Sequence, residues 1–321
     1  MSESDSIETS RRIQKRTGRT FYLATLLLPK RVRRATYVLY AFFRVADDVV
    51  DQETEDAPAP DEQRTRLEEI RAAALGDRET DDPVLSAFLD LADKRDIDDR
   101  EIEVFVDAMC QDIDRARYET YGDLEEYMRG SAVAVGNMMM AAMDMDRETR
   151  ERAGPHARAL AEAFQLTNFL RDVREDIHEY GRVYLPQETL DQYGVTETQL
   201  ENAEVTEGFV AAMRTELQRT ERRYREGVAG IRYLPEDCQF GVLLAAVFYA
   251  EHHRLIRARD YDVLTETPQL GRLRRGFLLV RTWVHWRRHG DPEATFYAVS
   301  AVSRSERRDA PDPETVASHP A

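Results

Sequence analysis

Two pairs of aspartates, each set one helical turn apart inside apolar sequence, constrain this chain more than any other feature. Residues 163–186 read AFQLTNFLRDVREDIHEYGRVYLP, a strongly helical run in which Asp172 and Asp176 are four residues apart. On one helix that spacing puts both carboxylates on a single face, joined by Asn168 and Gln165 at further steps of four and three. Like charges so placed repel by roughly 0.2–0.5 kcal/mol even when exposed, and burial raises the cost. A fold gains nothing from such a ladder unless a cation sits between its rungs. The all-oxygen donors favour a hard ion, Mg²⁺ first and Mn²⁺ second, which keeps several waters and completes its shell with substrate phosphate.

A second copy strengthens the case. YAFFRVADDVVD, residues 40–51, again sets Asp47 and Asp51 one turn apart in an apolar helix. The spacing alone means little in a chain with 61 acidic residues, and it recurs at Asp77 and Asp81. That third copy lies in GDRETDD, a polar turn without an apolar face, and is expected to be a solvated loop. The other two copies are each flanked by an arginine, Arg44 or Arg171, among Phe, Leu and Val, where an unpaired carboxylate is costly.

Helical periodicity runs through nearly the whole chain, with no convincing alternating strand. It predicts helices over 31–50, 62–74, 83–94, 99–118, 124–143, 153–179, 207–228, 235–259 and 271–289. Gly181 is expected to stop the helix that carries the ladder, with Pro186 soon after. So many helices without strands imply an all-α bundle around one core, ordered over residues 8–302, with flexible tails at 1–7 and 303–321. The N-terminus shows no secretory signal, and the longest apolar run is too short for the ~20 residues of a membrane span. A cytoplasmic protein is expected.

Composition excludes several function classes. A net charge of −16 repels nucleic-acid phosphate, and no basic face with interleaved aromatics is visible, so nucleic-acid binding is not expected. Two cysteines, Cys110 and Cys238, lack metal spacing and read as reduced core thiols. There is no HExxH, GxGxxG or Walker loop. Lysine occurs only at Lys15, Lys30 and Lys94, leaving arginine to supply the other 42 of the 45 basic residues. An acidic, lysine-poor surface suits a salt-rich setting, where ions screen its self-repulsion; a GC-rich genome that favours arginine codons is the alternative. On the first reading, activity and melting temperature rise from dilute buffer to molar KCl. A melting temperature that is flat or falls across that range refutes it.

If the two acidic helices face each other, their carboxylates and flanking arginines form a clamp for a diphosphate. Metal ion and guanidinium together would stabilise charge on a departing pyrophosphate. Phe21, Tyr40, Phe43, residues 138–140, Phe164 and Tyr249 are candidates to line a tunnel below it. Aromatic faces there would stabilise a carbocation by roughly 0.5–2 kcal/mol each. For any one of these side chains, plain core packing is the ordinary role. A helical interaction scaffold with a merely acidic surface is the competing reading of a different class, and Mg²⁺-dependent pyrophosphate release separates the two.

These residues carry a resemblance. TGRTFYLATLLLP from residue 17, YAFFRVADDVVD, YMRGSAVAVGNMM from residue 127, and QLTNFLRDVREDIHEYGRVYLP are similar to the squalene and phytoene synthase family of head-to-head prenyltransferases, over about residues 17–288. The resemblance implies the isoprenoid-synthase fold with a central cavity, Mg²⁺ dependence, and joining of two identical allylic diphosphates through a cyclopropyl diphosphate. By position it makes Asp47, Asp51, Asp172 and Asp176 the catalytic metal and diphosphate residues, with Asn168 supporting the second site. It makes Thr17, Gly18, Arg19, Thr20, Tyr40, Arg44, Gln165, Arg171 and Tyr249 substrate contacts. Arg272, Arg274 and Arg275 are candidates for a further anchor.

The family often shows Tyr-Cys-Tyr followed by Ala-Gly-x-Val-Gly, whereas Arg129 and Val133 stand here for the second Tyr and the first Gly. Val133 is expected to narrow the cavity. The forms ADDVVD and GRVYLP resemble phytoene synthases, which implies two geranylgeranyl diphosphates and no NADPH. Squalene synthase, with two farnesyl diphosphates and NADPH, is the alternative. Peripheral membrane contact for product release would go with either.

Overall fold

The computed structural model describes residues 10–12, 19–51 and 58–305. Its helices are α1 (Arg19–Thr25), α2 (Lys30–Val50), α3 (Pro60–Ala74), α4 (Pro83–Arg95), α5 (Asp99–Asp114), α6 (Tyr121–Met128), α7 (Val135–Ala142), α8 (Arg147–Arg171), α9 (Val173–Tyr180), α10 (Gln187–Gln192), α11 (Glu197–Glu201), α12 (Glu207–Val228), α13 (Glu236–Ala258), α14 (Arg272–His289) and α15 (Pro292–Val299). Among the described residues the only strand-like feature is an isolated bridge between Arg117 and Val183. The all-α expectation holds, and Asp77 and Asp81 are exposed in a loop.

Local chemistry explains most helix starts. Asp82 accepts hydrogen bonds from the Val84 and Leu85 N–H groups ahead of Pro83, and Thr120 with Asp123 forms a reciprocal cap on α6. The short helices α10, α11 and α15 escape periodicity, being too short to repeat a stripe. Two of them announce themselves by caps instead: Thr196 with Gln199, and Asp291 before Pro292.

Three predicted helices differ from those observed. The helix expected over 99–118 ends at Asp114, because the chain turns extended to lie beside the segment after Gly181; Val183 N–H donates to Ala116 O at 2.9 Å. The one expected over 124–143 is broken by a π-helical turn, Arg129–Ala134. A Cβ at Gly130 would fall 2.3 Å from the Val104 carbonyl oxygen, so glycine is what lets this turn press on α5. The third, 153–179, is two helices that meet at Asp172. Gly181 does end α9, with φ +60°.

Three clusters of buried side chains hold the bundle. The first, around Phe42, Phe88 and Phe105, joins α2 to α7; the rings of Phe42 and Phe88 stack at 3.8 Å. The second, around Tyr224, Phe248 and Phe296, joins α8, α12, α13 and α15. The third, around Leu170, Phe209 and Leu217, packs α9 to α12 onto the end of α8. Helix α8 touches all three, and its Thr167 is tied from behind. The Thr167 hydroxyl donates to Ala163 O at 2.7 Å and lies 3.0 Å from Tyr224 Oη and 3.1 Å from His253 Nε2. Burial lowers the pKa of His253, so this contact is between neutral groups.

Candidate active site

Between the first two clusters lies a cavity of about 670 Å³. Both aspartate pairs line it: Asp47 and Asp51 from the end of α2, Asp172 and Asp176 from the α8–α9 junction. The two junctions share a backbone form. Asp51 caps α2 at φ −97°, ψ 13°, its N–H donating to Asp47 O; Asp172 caps α8 at φ −101°, ψ 14°, its N–H donating to Asn168 O at 2.9 Å. Both conformations lie in the sparsely populated bridge region. Because Asp176 N–H still donates to Asp172 O at 2.8 Å, the four-residue step survives the break. Gln165, Asn168, Asp172 and Asp176 all reach the cavity as the spacing predicts.

Electrostatics make the site hungry for a cation. The C-terminal end of a helix carries partial negative charge, so Asp47 and Asp51, at the end of α2, sit where carboxylates are disfavoured. Burial, then the neighbouring Asp51, pushes the pKa of Asp47 up to about 8. Asp176 likewise rises to about 8 through burial, with Asp172 and Glu175 adding to it. Both are half-buried and line the cavity. Neither carboxylate makes a hydrogen bond or ion pair among the described residues. The Asp51 charge also raises Glu175 and Tyr180, after burial, which puts the two acidic turns within electrostatic reach of each other.

Three guanidinium groups frame these acids. Arg44 pairs with Asp48 and lies 3.8 Å from Asp51. Arg171 chelates its own neighbour Asp172, Nε to Oδ1 at 2.7 Å. Arg182, which motif spacing did not single out, donates to Asp51 Oδ1 and to the Val50 and Asp112 carbonyl oxygens, each at 3.2 Å. Asp112 was also missed. It occupies a core position of α5, three and seven residues beyond Met109 and Phe105, and that misplaced charge was a readable signal. Burial pushes it up to about 7 against the opposing pull of Arg182 and of Tyr127, whose hydroxyl donates to it at 2.8 Å.

Away from the acids the lining turns apolar and aromatic. Tyr40, Phe43, Phe164 and Tyr249 face it as predicted, with Phe164 and Tyr249 stacked at 4.6 Å. Tyr184 stacks on Phe169 at 4.0 Å and joins them. Of the methionine run, Met139 and Met140 line the wall, whereas Met138 points into the first cluster.

Other expectations are corrected. Val133 is buried away from the cavity and does not narrow it, and Arg129 is held outside by two bonds to Glu101 at 2.8 Å. Arg272, Arg274 and Arg275 lie on α14 outside the lining; Arg274 bonds Glu251 at 2.8 Å. Thr17 and Gly18 lie outside the described residues, and of Arg19 and Thr20 only their place at the start of α1 is described.

No group of three or more acidic, His or Cys side chains among the described residues is arranged to hold a metal unaided. Each turn offers two carboxylates, two of them unpartnered and confined. That donor set fits an ion which takes the rest of its shell from water and phosphate, as Mg²⁺ does.

The family model described as squalene/phytoene synthase matches residues 14–274. A 15-cis-phytoene synthase of Synechococcus elongatus is 33% identical over 274 residues, covering 81% of this chain and 86% of the relative. The chloroplastic phytoene synthase of Daucus carota is 31% identical, covering 80% of this chain and 65% of its own longer chain. Among solved structures, a dehydrosqualene synthase with bound ligand superposes with TM-score 0.79 at 28% identity, covering 89% of this chain and 98% of that one. A squalene synthase from Alicyclobacillus acidocaldarius, at 24% identity and TM-score 0.70, shares the fold.

Proposed function

The chain belongs to the squalene/phytoene synthase family and is therefore a prenyltransferase; from that premise we propose that it is a phytoene synthase. It joins two geranylgeranyl diphosphates through a cyclopropyl diphosphate and releases two diphosphates and two protons. The observation that carries this reading is a single cavity with paired carboxylates and arginines at one end and aromatic walls beyond.

Asp47, Asp51, Asp172, Asp176 and Asn168 would hold Mg²⁺, or Mn²⁺ in its place. Bound there, the ion would neutralise the diphosphate and polarise its bond to carbon. Arg44, Arg171 and Gln165 line the same end and would orient the phosphate oxygens, Arg171 by exchanging Asp172 for substrate. Thr17, Gly18, Arg19 and Thr20 keep the phosphate role that the resemblance gives them. Tyr40, Phe43, Phe164 and Tyr249 would exclude water from the cation and stabilise it through their ring faces. With no hydride donor in the reaction, the rearranged cation ends by losing a proton.

Incubation with Mg²⁺ and either geranylgeranyl or farnesyl diphosphate, with and without NADPH, tests this directly. The expected product is a C40 hydrocarbon from geranylgeranyl diphosphate with no nicotinamide requirement. A C30 hydrocarbon formed only with NADPH would make the enzyme a squalene synthase.

A further inference from the structure

Helix α14 is unlike the rest of this acidic chain. Its sequence, RLRRGFLLVRTWVHWRRH, carries six arginines and two histidines and no acidic residue, in a protein whose net charge is −16. It packs on α13 and α15 through Leu278, Thr282 and Trp286, and its opposite face is open. On that face Leu273 is 93%, Phe277 52%, Val280 61% and Trp283 53% exposed. The spacing of 273, 277, 280 and 283 makes one continuous apolar stripe. Arg272, Arg287 and Arg288 are exposed alongside it, and Arg274 and Arg287 lie over the Phe277 and Trp283 rings at 5.0 and 6.0 Å.

We propose that this outer face of α14 docks on an anionic lipid surface, its apolar stripe entering the acyl boundary and its arginines meeting lipid phosphates. Aromatic and aliphatic side chains opposite a packed face, rimmed by arginine, are the composition of an interfacial helix. A second copy of the chain does not fit, because a two-fold contact through this face would bring the exposed Arg272, Arg287 and Arg288 of both copies together with no acidic residue of α14 to offset them. Nor does the remaining chain. Outside the described residues the sequence offers as large apolar side chains only Met1, Ile7, Ile13 and Val316, too scattered to cover the stripe. Such a surface also lies close to the cavity: Trp286 packs on Phe240 at 6.1 Å, and the next residue, Gly241, lines the cavity wall. The docking rests on the surface alone and stands whichever hydrocarbon the enzyme makes.

Both tryptophans of the chain are on α14, so intrinsic fluorescence reports this helix. In a Trp286→Phe variant of the full chain, Trp283 emission is expected to shift to the blue on adding phosphatidylglycerol vesicles, and the protein to co-sediment with them. Phosphatidylcholine vesicles should bind more weakly. Phe277→Ser with Val280→Ser should abolish sedimentation while leaving circular dichroism and turnover of dispersed substrate unchanged. Arg272→Gln and Arg288→Gln should weaken it, by roughly fivefold per arginine at about 0.15 M salt and less in molar salt. Absence of sedimentation with phosphatidylglycerol vesicles overturns the proposal. So does equal binding to both lipids with no effect of the arginine variants, or a fluorescence shift that follows protein concentration without lipid.

Discussion

Asp47→Asn or Asp176→Asn is expected to lower turnover at saturating Mg²⁺ by about 10²–10³-fold and, in the metal-free protein at pH 8, to raise the melting temperature. The two effects have one cause. Each carboxylate is confined by burial beside another carboxylate, Asp51 or Asp172, which pushes its pKa from 3.8 up to about 8. Between those values the folded chain binds more protons than the unfolded chain. Unfolding free energy therefore falls as pH rises through that window, and the whole cost is present above about pH 8. Asparagine removes the charge and with it the slope. A gain of about 2–5 °C is expected at pH 8 and little at pH 4. Adding Mg²⁺ should stabilise the parent protein more at pH 8 than at pH 6, because binding must displace those protons. Asp172→Asn should lose activity without the stability gain, since it strips Arg171 of its partner. Near-native rates in both Asp47→Asn and Asp176→Asn would overturn the clamp, and a lower melting temperature would overturn its electrostatic account.

The second large effect is on stability. Arg182→Gln is expected to cost about 3–5 kcal/mol at pH 8, because removing one member of a buried charged network leaves the others unpaired. The Arg182 side chain is 10% exposed and bonds Asp51 and two backbone carbonyls. Without it Asp51 and Asp112 remain confined with no adjacent cation on that side. Protonation is their remaining relief, and Asp112 already titrates near 7. Its raised pKa means that acid relieves the strain and alkali restores it. The loss measured by urea unfolding should therefore be smaller at pH 5.5 than at pH 8. Equal losses at the two pH values, or a loss below about 1 kcal/mol, would show that Arg182 is packing rather than charge compensation.

The aspartate ladders were legible because both signals are local. Helical periodicity gives the face, and the apolar neighbours give the cost of a carboxylate on it, so position and chemistry were both written within a dozen residues. The helices over 31–50, 207–228 and 271–289 were legible for the same reason, each being long enough to repeat its stripe several times. The bend at Asp172 was not. Bonds from Asp172 N–H to Asn168 O and from Asp176 N–H to Asp172 O keep the four-residue step on either side of it, and no Pro or Gly marks the spot. The π turn at Arg129 hid likewise, its cause being a contact between Gly130 and Val104 on another helix.

Asp112 and Arg182 show where local reading stops. Each is one charge in an ordinary setting, and each takes its role from a partner far along the chain, Asp51 being 131 residues from Arg182. Val133 is buried on the side of the π turn away from the cavity, because which side meets the cavity depends on how α5 and α8 grip it. The amino-acid sequence by itself determined the all-α class, the two acidic turns and the apolar helix that carries each of them, since periodicity and charge repulsion act between neighbours on one helix. Only the tertiary structure decided that the turns share one cavity, that Arg182 and Asp112 complete it and that the outer face of α14 is left open. Those facts depend on which helices pack together, and a core of interchangeable apolar side chains does not record its partners in any one segment.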